Sequence, residues 1–251
     1  MQVMYATIAE QTVQLDLPSP SDFVLPGVLW GKFDELFTPA YWCGQAWQHQ
    51  RLGTYSSLRI GRNLAEEIGA CLLGGFGMTA EIGLLAFDRL RVRGLLQTGV
   101  TARELEENLI EPLNLSGSMR RYRFPRQKAR YLSACMDHLD DLAAIDDPLL
   151  LRSRLLALPG IGLKTASWIV RNHFGSDKVA VIDIHIVRAG VHMGLFTERC
   201  DPQRDYFECE SAFLSLASAL GVHAGMLDSL IWDYMRWLPL STRRDGPVSL
   251  N

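Results

Sequence analysis

The sequence predicts a mainly α-helical fold with a short β element at its N-terminus, on three observations. Apolar residues recur every three or four positions from Leu64 onward, the spacing that lays one stripe along a helix. Helix-start chemistry stands where such stripes begin: Thr101-Ala102-Arg103-Glu104 reads as a capping box, and Asp147-Pro148 as an N-cap followed by proline at the first helical position. Strand-like alternation is confined to residues 3–5 and 12–17, ahead of Pro18, Pro20, Pro26 and Gly27, which break the chain.

Leu64, Ile68, Cys71 and Leu72 share one face of a helix that stops at Gly74-Gly75. Ile82, Leu85, Ala86, Leu90 and Val92 continue the pattern in the next. Thr101 opens another. Leu132, Cys135, Met136, Leu139 and Leu142 predict one long amphipathic helix beginning near Arg126. Residues 149–156 follow the Asp147-Pro148 start, and residues 164–174 form a helix that Gly175 ends. Asp183 precedes a further helix, Asp201-Pro202 caps one running to Leu220, and the last spans residues 224–238. Trp30, Trp42 and Trp47 are expected in the core of the N-terminal part. The expected division is an N-terminal segment at 1–60, a helical core at 61–238 and a mobile tail at 239–251.

With 251 residues, 48% apolar and 21% charged, the composition is that of a soluble enzyme. No apolar run reaches the ~18–20 residues that span a bilayer, and no basic-then-apolar leader opens the chain, so a cytoplasmic protein without a membrane partner is expected. The formal charge of −3 is not that of a wholly basic nucleic-acid binder. Residues 119–130, however, carry six basic residues, no acidic one, and the interleaved Tyr122 and Phe124. Such a run is either a solvated face or a phosphate contact; Arg126 and Lys128 are the candidates for contact. The five cysteines, Cys43, Cys71, Cys135, Cys200 and Cys209, include no CxxC pair, which excludes a compact zinc or iron–sulfur signature by spacing.

The chemistry concentrates in Leu158-Pro159-Gly160-Ile161-Gly162-Leu163-Lys164-Thr165-Ala166 and, 19 residues past the lysine, Asp183 in Val181-Ile182-Asp183-Ile184-His185. Two glycines flank one apolar residue in a tight turn that opens a helix. Glycine tolerates positive φ and leaves backbone N–H groups uncovered, and a helix N-terminus favours an anion such as a phosphodiester. The dipole disfavours a cation at Lys164, and the neutral amine is the form that attacks. Asp183 is suited both to cap the helix at Ile184 and to stabilise developing positive charge on a sugar.

These residues resemble the helix-hairpin-helix (HhH-GPD) DNA glycosylase superfamily, most closely its 8-oxoguanine DNA glycosylase branch. Pro159, Gly160 and Gly162 match the LPGxGxKTA hairpin, Lys164 the nucleophile, and Asp183 and His185 the V-D-x-H stretch. The resemblance implies a two-lobed helical fold and a bifunctional glycosylase/β-lyase excising an oxidised purine through a lysine Schiff base in base excision repair. It further implies double-stranded DNA with a damaged base as partner, a monomer, no iron–sulfur cluster, and hairpin carbonyls suited to a monovalent cation. His185, with Arg188 one turn on, would contact the DNA backbone, and Asp228 and Trp232 would line the base pocket. Two departures stand out. Trp168 occupies the place where the best-known 8-oxoguanine enzymes carry a small thiol beside the lysine, and Asp228 stands where the family usually has an amide. Excision of a modified base from foreign DNA, or DNA binding without chemistry, remain the alternatives.

Overall fold

The computed structural model describes residues 1–55, 57–75 and 77–238. In chain order its elements are β1 (Gln2–Ile8), β2 (Gln11–Leu17), β3 (Phe23–Leu25), β4 (Val28–Leu29), α1 (Pro39–Arg51), α2 (Leu64–Leu73), α3 (Ala80–Val92), α4 (Ala102–Ile110), β5 (Leu113–Leu115), β6 (Ser118–Arg120), α5 (Pro125–Met136), α6 (Leu139–Ala143), α7 (Pro148–Leu156), α8 (Leu163–Phe174), α9 (Ile184–Met193), α10 (Tyr206–Leu220) and α11 (Ala224–Met235). Among the described residues the β structure is three separate antiparallel pairs. The fold is therefore mainly helical with a short N-terminal hairpin, as the periodicity predicts. The chain gathers into two compact units: Ser56–Val181, and Met1–Tyr55 together with Ile182–Asn251.

In the contiguous unit, α2 is buried along its whole length. A helix buried all round must satisfy its polar groups internally. Glu67, fully buried, accepts from the amides of Ile60 at 2.8 Å and Gly61 at 2.9 Å and from the Asn172 side chain of α8 at 3.1 Å. Around this axis Ile68, Leu72, Leu90, Leu105, Leu132, Met136 and Leu151 form one dry core. The predicted caps hold: Thr101 and Glu104 form the reciprocal box at α4, and Asp147 accepts from Leu150 N–H at 2.8 Å ahead of Pro148.

In the discontinuous unit, β1 and β2 pair from Gln2↔Leu17 to Ile8↔Gln11. Gly44 of α1 lets Met4 pack against the helix backbone; a Cβ there would meet the Met4 sulfur. Trp42 is fully buried and Trp30 is buried, while Trp47 is half-buried with the Arg51 guanidinium over its ring.

Four expectations need correction. The stripe from Leu132 to Leu142 is not one helix: α5 ends at Met136, the chain tightens through His138 N–H donating to Cys135 C=O, and α6 restarts at Leu139. Both pieces serve one core, so apolar spacing reported the face and not the continuity of the backbone. Asp201-Pro202 does not open α10. Asp201 accepts from Gln203 N–H and its own amide donates to Asp205, which makes a separate turn before Tyr206. Val92, at the last position of α3, points to solvent. The final helix ends at Met235. The expected mobile tail at 239–251 lies outside the described residues.

Candidate active site

In the contiguous unit, α7 runs into the turn Leu158–Gly162, closed by Ile161 N–H donating to Leu158 C=O, and α8 follows. Buried Ile161 anchors the turn, while Gly160 and Gly162 are exposed. Gly160 has φ +81°, and a Cβ on it would fall inside the Tyr131 ring of α5. Glycine is thus required there twice, by backbone conformation and by the ring resting on the turn. Gly162 is extended, at φ −96°, and a Cβ would meet nothing within 4 Å. As the N-cap of α8 it offers no side chain to cover the first-turn amides, which leaves the dipole end of the helix accessible to an anion.

Beside this turn lies an open groove of about 610 Å³ lined by Arg126, Gln127, Arg130, Tyr131, Ala134 and Pro159. The α5 residues of that set share one helix face. The geometry therefore brings Arg126 together with the hairpin, and adds Arg130 and Tyr131, which sequence spacing alone did not single out. Lys128 faces the other way. It is half-buried and its Nζ donates to Leu72 C=O at 2.6 Å, binding one of the last carbonyls of α2. Burial lowers its pKa. Lys128 thus secures α5 to α2, and the phosphate reading of this face rests on Arg126 and Arg130.

Lys164, in the first turn of α8, is half-buried. The buried Cys71 thiol of α2 feels the charges of Lys164 and Arg171. Burial, seconded by Glu67, nevertheless pushes that thiol well above its usual pKa, so it is a neutral dipole. A thiol from another helix thus lies within electrostatic reach of Lys164. No sequence spacing reveals it, because the packing of α2 on α8 creates it. Trp168 itself packs toward Gly74.

In the discontinuous unit, Asp183 caps α9: its Oδ1 accepts from His185 N–H at 2.8 Å and Ile186 N–H at 3.1 Å. It is 7% exposed, so the carboxylate is fixed before any substrate arrives. His185 and Arg188 follow, half-buried and one turn apart on α9. The His185 ring meets Trp232 of α11 edge-on, with centroids 6.4 Å apart. Asp228, one turn before Trp232, is buried and accepts from the Ser229 hydroxyl at 3.3 Å. Arg236, a residue the sequence did not flag, stacks on the Trp232 face. Among the described residues no group of three or more His, Cys, Asp or Glu side chains is arranged to hold a metal ion.

Comparison with known proteins gives this arrangement its context. The family model for 8-oxoguanine DNA glycosylase matches residues 49–222. An 8-oxoguanine DNA glycosylase/AP lyase of Metallosphaera sedula is 37% identical over 121 residues, covering 44% of this chain and 57% of that protein. One of Saccharolobus solfataricus is 33% identical over 122 residues, covering 45% and 58%. The match thus spans less than two thirds of the length of these curated relatives. The crystal structure of the Methanocaldococcus jannaschii 8-oxoguanine DNA glycosylase superposes with a TM-score of 0.55 at 27% identity, over 69% of this chain and 78% of that one. A family match over more than half the chain, carrying the hairpin, Lys164 and Asp183 together, places this protein in the 8-oxoguanine DNA glycosylase family.

Proposed function

We propose that this protein is a bifunctional DNA glycosylase and β-lyase that removes 8-oxoguanine from double-stranded DNA in base excision repair. The observation that carries the reading is a lysine in the first turn of a helix whose glycine N-cap leaves the amides open, in a chain that also holds a buried, pre-oriented aspartate at Asp183. The names and sequences of the curated relatives support the same substrate and the same pair of activities.

The hairpin amides and the Arg126–Arg130 face bind phosphates and set the register of the duplex. The damaged nucleotide turns out of the stack, and Trp232 stacks on its base. The Lys164 Nζ attacks C1′ of the sugar, the C1′–N9 bond breaks, and its electron pair leaves with the base, which is protonated. The Asp183 carboxylate stabilises the positive charge that develops on the sugar. The sugar ring opens to an imine between C1′ and Nζ. Loss of a proton from C2′ then expels the 3′-phosphate by β-elimination. No step changes an oxidation state.

Borohydride reduction of the imine tests the chemistry and the substrate together. Incubation with duplexes bearing 8-oxoguanine, other oxidised purines or a preformed abasic site should give a covalent adduct with wild-type protein. Lys164→Gln should give none while still binding DNA. An undiminished adduct with that variant would place the nucleophile elsewhere. DNA binding without any adduct on any substrate would leave a binding protein on a glycosylase scaffold.

A further inference from the structure

We propose that Arg236 is a gate on the base pocket: its guanidinium occupies a face of the Trp232 ring, the kind of surface on which a base stacks, and a base enters by displacing it. The proposal rests on the stacking role given to Trp232 above. The Arg236 guanidinium carbon lies 4.6 Å from the Trp232 ring centroid and 4.6 Å from that of Trp237. One cation therefore lies over two indoles just past the end of α11. Its Nε lies 3.9 Å from Asp233 Oδ1, and the other oxygen of Asp233 accepts the Tyr55 hydroxyl at 2.6 Å. The carboxylate that steers the arginine is itself fixed. His185 takes one edge of the Trp232 ring, and Arg236 takes a face.

The outer layer of this stack is built differently from the inner one. Trp237 is 74% exposed, and an exposed side chain changes rotamer within nanoseconds, whereas Trp232 is half-buried. The cover over the arginine is thus loose and the floor beneath it firm. The exchange is one stacked cation for one stacked base. Its balance favours a base that stacks strongly and disfavours one that stacks weakly or presents no ring. The displacement costs the same whichever base enters, so Arg236 lowers the population of every stacked complex, and its removal should raise that population most for the base that already stacks best.

The test uses the full chain with Lys164→Gln, so that binding is read without turnover. It compares Arg236, Arg236→Ala and Arg236→Lys on duplexes carrying 8-oxoguanine, undamaged guanine and a tetrahydrofuran abasic analogue. Arg236→Ala should tighten binding to the 8-oxoguanine duplex by roughly three- to tenfold, change the undamaged duplex, whose base stays in the helix, far less, and so widen the 8-oxoguanine-to-guanine affinity ratio. Binding to the abasic duplex should stay constant, since no base competes for the ring. Arg236→Lys, which keeps the charge without the planar face, should fall in between, and near-wild-type melting of that variant separates gating from misfolding. Equal weakening on all three duplexes would make Arg236 a phosphate contact and overturn the gate. An unchanged ratio, with the lesion still preferred over the abasic analogue, would overturn the gate alone. A protein that never prefers the lesion to the abasic duplex, whatever stands at 236, would overturn the stacking role of Trp232 and the gate with it.

Discussion

Replacing Gly160 by alanine should damage the hairpin through two separable effects. The first is conformational: at φ +81° a residue with a Cβ sits in the left-handed region at a cost of ~1–2 kcal/mol. The second is steric. The added methyl would overlap Cγ, Cδ2 and Cε2 of Tyr131, and forcing atoms into a packed contact costs ~1–3 kcal/mol. Together these reach ~2–5 kcal/mol, a large part of the ~5–15 kcal/mol that holds a domain folded, and correspond to a melting temperature lowered by about 4–20 °C. Melts of Gly160→Ala, Tyr131→Ala and the double variant apportion the two effects. With the ring gone, Gly160→Ala should cost only the conformational part, leaving a coupling of ~1–3 kcal/mol between the two sites. The reasoning is refuted if Gly160→Ala costs under ~1 kcal/mol, or if its cost is the same with and without the Tyr131 ring.

Three further outcomes follow from the geometry. Asp183→Asn keeps a competent N-cap, since Asn and Asp rank together there, so melting should be near normal while base excision slows about a hundredfold in single-turnover assays; an unstable variant with full activity per folded molecule would reduce Asp183 to a cap. Arg126→Glu with Arg130→Glu should weaken binding to lesion and undamaged duplex alike and flatten the dependence of affinity on salt, measured by titration at several ionic strengths; a loss confined to the lesion duplex would mean that this face reads the base. The His173 imidazole of α8 has its pKa lowered by burial and then by the neighbouring Arg59, so the folded state favours its neutral form. The stability it contributes is full above the unfolded value of about 6.5 and is lost as pH falls through the lower folded pKa; His173→Asn should remove that part of the acid-side slope in melts taken across pH 4–8, and an unchanged slope would exclude the residue as its source.

What the sequence disclosed is what local chemistry encodes. The Thr101–Glu104 box, the Asp147-Pro148 start and the Asp183 cap each satisfy orphan amides within a few residues, so they are readable without tertiary information. Gly160 was readable because a turn of that shape demands it, and Gly162 because a bare residue opens the helix after it. The remainder depends on what packs where. Lys128 and Arg126 are equivalent in composition, yet one points to the carbonyl of Leu72 and the other to the groove. Cys71 reaches the neighbourhood of Lys164 only through the packing of α2 against α8. The short pairs β3–β4 and β5–β6 have two or three residues per strand, too few for alternation to register.

The division of the chain has a consequence for its biosynthesis. One unit is an uninterrupted stretch from Ser56 to Val181, while the other needs both Met1–Tyr55 and the segment that starts at Ile182. On the ribosome the uninterrupted stretch emerges complete and can collapse around α2 using only its own residues. The first 55 residues, synthesised earliest, must wait for α9, α10 and α11, a delay of roughly ten seconds or more at ordinary elongation rates. Throughout that interval the Trp42 side of α1 lacks α11 and β3 lacks α10, the helices that pack on them. A nascent chain stalled in the interval would present the unit that carries Lys164 folded and the unit that carries Asp183 still in pieces. Chaperone contacts should therefore concentrate on the N-terminal segment, and a fragment ending near Val181 should retain a protease-resistant piece that begins near Ser56.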